Sequence, residues 1–175
     1  MQLVSDTTKE NTVSVKPLNW LNIWKFIKLR NNIDRESSHL VTSGKNGFGN
    51  SIRLLVRMFI NKKWIKTIVV KEGKDLVGYV SLVFAKFKRL QGNVYLTISI
   101  KSSHQNKGLG TKLMLEAEEF LKRHKVRRIE LEVFSKNKAV ELYKRLGYEI
   151  EGKRRKAVEN GDGFDDIVFM AKFLK

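Results

Sequence analysis

The hexad Gln105-Asn106-Lys107-Gly108-Leu109-Gly110 constrains this chain more than any other feature, because of what flanks it. Upstream, Val94, Leu96, Ile98 and Ile100 alternate with Tyr95, Thr97 and Ser99, the period of a strand. Downstream, Leu109, Leu113, Ala117, Phe120 and Leu121 recur at helical spacing, with Lys112, Glu116, Glu119 and Arg123 facing away. A strand therefore enters a polar, glycine-bearing loop that opens a helix. That order gathers unpaired backbone N–H groups and the positive end of a helix dipole in one place. Gly108 and Gly110 permit close backbone approach, and Lys107 adds a mobile cation. The pattern predicts a phosphate cradle.

Neither of the two commonest phosphate loops fits. Leu113 stands where a dinucleotide fingerprint needs glycine or alanine, and no Gly-Lys-Ser/Thr ending is present. Gln-x-x-Gly-x-Gly at the end of a strand instead resembles the pyrophosphate-binding loop of the GNAT superfamily of acyl-CoA-dependent N-acetyltransferases. A second block supports the resemblance. Residues 128–134 alternate Ile129, Leu131 and Val133 with Glu130 and Glu132, and then comes Ser135-Lys136-Asn137-Lys138-Ala139-Val140-Glu141-Leu142-Tyr143-Lys144-Arg145-Leu146-Gly147-Tyr148. This is similar to the superfamily's Asn-x-x-Ala-x-x-Leu-Tyr-x-x-x-Gly-Phe with one shortening: Val140 takes the usual alanine position, while Leu142, Tyr143 and Gly147 keep their spacing. The tail Gly161-Asp162-Gly163-Phe164-Asp165-Asp166-Ile167-Val168-Phe169-Met170 also resembles the closing hairpin of many members. The likeness covers residues 69–174, with the N-terminal third matching only in layout.

The resemblance implies an α/β GNAT fold: a single domain over residues 1–175 whose mixed, mostly antiparallel twisted sheet is flanked by helices and splayed between its central strands. It implies an N-acetyltransferase that passes acetyl from acetyl-CoA to a primary amine by direct attack in a ternary complex. The cofactor would lie on Ile98, Ser99 and Ile100 of the central strand, on Gln105, Asn106, Lys107, Gly108, Leu109, Gly110 and Thr111, and on Asn137. Tyr143 matches the tyrosine that protonates the departing thiolate; a half-buried packing residue beside Leu142 is the other reading. Asn137 could equally be a helix N-cap, a role asparagine favours unaided. Many relatives carry a glutamate on the central strand, yet residues 93–101 contain no acid. Glu132 acting through a water, backbone carbonyls, Tyr95 and His104 all stay open as the base. The rival function is a catalytically degenerate GNAT domain that binds acyl-CoA, nucleic acid or the ribosome without turnover. A homodimer is compatible with either.

Elsewhere the periodicity predicts a strand at 13–16 ended by Pro17, a helix at 20–32 capped by Asn19 with Leu21, Trp24, Ile27 and Lys28 in register, and a loop at 42–50. A second helix at 51–61 and a hairpin of 66–70 with 76–84 follow. The helix after Asn137 is stopped by Gly147 at its C′ position, and strands near 148–157 and 166–173 pair across Asn160-Gly161. Residues 1–11 read as frayed. With 175 residues, 42% hydrophobic, the chain can bury a core without staples. It has no cysteine, hence no disulfide framework or thiolate metal site. The start lacks a leader-like apolar run, and no stretch approaches the ~18 apolar residues of a membrane span. A cytoplasmic protein with no membrane association is the expectation.

Other features carry less. Residues 44–51 have P-loop spacing, but Asn50 replaces the lysine, so a loop over the acceptor site is favoured. His39, His104 and His124 are too scattered for a metal site, and none is expected. Trp20, Trp24 and Trp64 are expected in the core or at its edge. The net charge of +17 exceeds what one cofactor requires, with runs at 122–128, 153–156 and 86–89. A nucleic acid or ribosome could meet these runs, but few aromatics interleave with them, and a solvated basic surface is the favoured reading.

Overall fold

The computed structural model describes residues 13–36, 63–161 and 163–175. The expected loop at 42–50 and helix at 51–61 lie outside them. The described residues build one seven-stranded sheet in the order β1-β2-β3-β4-β5-β7-β6. Its strands are β1 (Val13–Pro17), β2 (Ile65–Glu72), β3 (Asp75–Phe84), β4 (Asn93–Ile100), β5 (Arg128–Phe134), β6 (Glu149–Asn160) and β7 (Gly163–Phe173). Every neighbour pairs antiparallel except β4 and β5, which run parallel. That parallel contact joins only Asn93, Val94 and Tyr95 to Arg128, Ile129 and Glu130. Beyond Tyr95 the strands part, while β4 stays paired to β3 as far as Ile100. The sheet is splayed at its centre.

Strand alternation decides which face each residue serves. Val94 and Leu96 of β4 and Ile129, Leu131 and Val133 of β5 join one core with Leu113, Met114, Ala117 and Leu121 of α2 (Leu109–Arg123). The α3 helix (Ala139–Arg145) adds Val140 and Tyr143 to that core. On the opposite face, α1 (Ile23–Glu36) packs Phe26, Leu29 and Ile33 on Val69, Leu76 and Tyr79, with the Phe26 and Tyr79 rings edge-on at 5.1 Å.

The α1 phase differs from the sequence expectation. Trp20, Leu21 and Trp24 are 75%, 67% and 68% exposed, so the core placement of two tryptophans is corrected; Trp64 is half-buried. Residues Trp20–Asn22 form a 3₁₀ turn, capped as expected by Asn19, whose side chain accepts from Asn22 N at 3.1 Å. Three residues per turn break the 3.6-residue count before α1 begins, and the buried stripe restarts at Phe26.

The end of α3 is a Schellman turn. Tyr148 N–H donates to Tyr143 O and Gly147 N–H to Lys144 O, both at 2.9 Å. Gly147 has φ +83°, the left-handed conformation this turn requires. The Tyr143 and Tyr148 rings sit 5.9 Å apart, the apolar contact that accompanies such a cap. Among the described residues no helix is long and apolar enough to cross a membrane.

Candidate active site

The loop expected to cradle phosphate lies between β4 and α2. Strand β4 ends at Ile100, Ser102–His104 make a 3₁₀ turn, and α2 starts at Leu109. The loop between is shaped by residues that tolerate unusual backbone: Asn106 has φ +59°, and Gly108, the N-cap, has φ +74°. Gln105 folds back, donating from Nε2 to Ile100 O at 3.1 Å, and so ties the loop to the strand. Among the described residues, nothing accepts a hydrogen bond from the backbone N–H groups of residues 106–111. That run of free donors stands at the positive end of a fifteen-residue helix, which suits an anion. Lys107 and Lys112 are exposed beside it, and Lys112 Nζ also reaches Val13 O at 3.2 Å.

Gly110 serves a purpose that the sequence does not reveal. A Cβ there would meet Leu142 Cδ2 at 3.2 Å and Ile100 Cδ1 at 3.7 Å. Its missing side chain lets the helix start seat against both α3 and the end of β4. The cradle and the helix bearing Tyr143 are thereby locked to one another.

The remaining predicted residues are placed as follows. Ile98 and Ile100 pack against the α2–α3 core; Ser99 is buried on the other face, opposite Tyr79. All three lie on the stretch of β4 that has left β5. Thr111 stands in the first turn of α2. Asn137 does act locally: its Oδ1 accepts from Ala139 N at 2.9 Å and its carbonyl from Val140 N at 3.0 Å, an Asx turn that starts α3.

Tyr143 is buried, and burial holds its phenol far above the ordinary range, with the nearby Tyr95 hydroxyl adding to the rise. Tyr95 belongs to the last residue pair before β4 and β5 part, so its influence on Tyr143 is exerted from the start of the splay. Burial raises Tyr95 too; the Glu132 carboxylate raises it further, and Arg154 opposes them. Glu132, half-buried on β5, and Arg154, stacked over the Phe169 ring at 5.0 Å, therefore join Tyr95 at the open mouth. His104 is drawn elsewhere: its Nε2 lies 3.0 Å from Glu72 Oε2 and its Nδ1 2.8 Å from Ser103 Oγ. Of the open base candidates, Tyr95 lies near Tyr143, and Glu132 lies near Tyr95. Arg154 was missed as a site residue, because in sequence it is one of four consecutive cations. Among the described residues no three His, Asp or Glu side chains converge to hold a metal ion.

The chain is similar to known proteins in sequence and in fold. The family described as "Acetyltransferase (GNAT) family" matches residues 49–148. The L-amino acid N-acetyltransferase AaaT of Escherichia coli (strain K12) is 34% identical over 111 residues, 62% of this chain and 68% of that protein. Among solved structures, an acetyltransferase of the GNAT family from Streptococcus pneumoniae superposes with a TM-score of 0.84 at 24% identity, over 93% of this chain and all of that one. The protein yncA from Salmonella typhimurium, solved with its cofactor acetyl-CoA, superposes with a TM-score of 0.78 at 18% identity, over 94% and 95% of the two chains.

Proposed function

The chain belongs to the acetyltransferase (GNAT) family, and on that premise we propose that it transfers the acetyl group of acetyl-CoA to a primary amine by direct attack in a ternary complex. The observation that carries this is a run of free N–H donors at 106–111, just beyond the stretch of β4 that has parted from β5 and seated through Gly110 against the α3 helix that bears Tyr143. Residues 105–111 hold the pyrophosphate, and the freed edge of β4 at Ile98, Ser99 and Ile100 pairs with the pantetheine arm and polarises the thioester carbonyl. Acetyl-CoA supplies the thioester, whose carbonyl carbon accepts the amine lone pair before the C–S bond breaks. Tyr143 gives its proton to the departing thiolate. Glu132 takes the amine's proton through a water, a role that replaces the carboxylate β4 lacks and favours turnover over mere binding.

The relative's name, an L-amino acid N-acetyltransferase, makes small α-amino acids the first acceptors to try. Arg154 suits their carboxylate while Glu132 faces the amine. Initial rates with acetyl-CoA and a panel of L-amino acids and other amines test the proposal. Double-reciprocal lines should intersect, as direct transfer requires, and Glu132→Gln should lower kcat/KM for the amine more than affinity for coenzyme A. Parallel lines with a kinetically competent acetyl-protein, or no turnover with any amine, would overturn it.

The cradle has its own test. Gly110→Val drives branched methyls against Leu142 and Ile100 and displaces the donors. Coenzyme A affinity should fall ~10-fold or more, since each strained charge-assisted hydrogen bond is worth ~1.5–3 kcal/mol. Unchanged calorimetric affinity in a folded variant would remove residues 105–110 from the site.

A further inference from the structure

Two basic runs that are distant in sequence, 86–89 and 122–127, meet at the end of the sheet away from the cradle. Arg127 joins them: its backbone N–H donates to Gly92 O at 2.8 Å and its guanidinium to Gln91 O at 3.0 Å. The cause is the short parallel contact of β4 with β5, which sets the first residues of both strands, and the turns before them, side by side. Lys88, Arg89, Lys122, Arg123, Lys125 and Arg127 are all exposed there. Among the described residues none of these six makes an ion pair. Elsewhere Lys153 of the β6 run is held by Asp166, and Arg128, at the end of the second run, by Glu130 and Glu151. No acid interrupts residues 85–93 or 120–129.

An aromatic residue stands in the midst of this charge. Phe87, flanked by Lys86 and Lys88, is 76% exposed at the head of a 3₁₀ turn. In the second run His124 is fixed by stacking on Phe120 at 4.1 Å and by donating from Nδ1 to Phe120 O at 2.8 Å. Phe87 is already interleaved with the first run in the sequence; what folding adds is the second run at the same end of the sheet.

We propose that this end of the molecule binds single-stranded nucleic acid, its cations on the phosphates and Phe87 stacked on an unpaired base. A duplex hides its base faces, so the phenylalanine favours a single strand. The surface lies at the opposite end of β4 from the cradle, about 25 Å away at the usual rise per strand residue, so a bound strand leaves the cradle open.

Fluorescence anisotropy with a labelled mixed-sequence strand of about 20 nucleotides, as RNA and as DNA, tests this on the full chain. A hairpin duplex and phosphatidylglycerol vesicles form the other arms. Binding to one or both single strands should saturate near physiological salt. K88Q/R89Q/K122Q/R123Q should weaken it ~10-fold or more and make the slope of log affinity against log salt shallower by about three, at ~0.7 per phosphate released from a cation. Phe87→Ala should weaken it ~5-fold or more with the slope unchanged. K153Q/R155Q/K156Q should have less effect than the first variant. Equal losses from both charge variants, an unaltered affinity in Phe87→Ala, or tighter binding to duplex or vesicles would each overturn the proposal.

Discussion

Tyr143→Phe should lower kcat by ~10²-fold or more while leaving the dissociation constant of acetyl-CoA nearly unchanged. The substitution removes one oxygen from a ring already packed against Tyr148 in the α2–α3 core, so the fold keeps its contacts. What disappears is the phenolic donor alone. The pH dependence has a definite sign. Burial raises the Tyr143 pKa, so the phenol stays protonated throughout the range in which the protein is handled. Tyr143 should therefore contribute no alkaline fall in kcat below pH ~10, its ordinary value. Steady-state rates of wild type and variant across pH, with calorimetric binding of acetyl-CoA to each, check both statements. Wild-type turnover in the variant would reduce Tyr143 to packing.

Lys172→Met should cost about 2–3 kcal/mol of stability, because it leaves the Glu118 carboxylate buried without a counter-charge. Glu118 points into the core from α2 and meets Lys172 of β7 at 2.6 Å, with their side chains 7% and 22% exposed. Lys172 also lies over the Tyr148 ring, at 5.7 Å. The Tyr148 hydroxyl and the second Glu118 oxygen are buried near one another, and neither has a well-formed hydrogen bond among the described residues. Desolvation first, and then the Glu118 carboxylate, hold the Tyr148 phenol far above its usual range. A fall of roughly 5–10 °C in melting temperature is expected for a chain of this size. Adding Glu118→Leu should recover most of it, as removing both charges relieves the burial cost. A shift below ~0.5 kcal/mol in urea unfolding would show that the pair does not support the core. Tyr148 is the C″ residue of the turn that ends α3, so this ion pair also braces the helix that presents Tyr143.

The elements that carry the motifs were legible because their signals are local. Alternation from Val94 to Ile100 marks β4 to within one residue of its start, and alternation at 128–134 coincides with β5. The apolar spacing begins α2 at Leu109, and Gly147 ends α3 at the position its chemistry predicts. The face of α1 was not legible, since a 3₁₀ turn before it shifts the phase and exposes Trp20 and Trp24. Glu118 gave no warning either: it reads as one more polar residue between Ala117 and Glu119, and only a lysine 54 residues later explains its burial.

From sequence alone came the order strand, cradle, helix, strand, helix, and the residue types at each step, because backbone conformation, capping and periodicity act over a few neighbouring residues. Tertiary structure alone decided which distant residues face one another. The short parallel seam between β4 and β5 brings Tyr95 near Tyr143, with Glu132 and Arg154 near Tyr95, and at its other end sets Gln91 and Gly92 against Arg127. Strand register is a choice among long-range pairings, set by burial of a whole face, so no local window of sequence contains it.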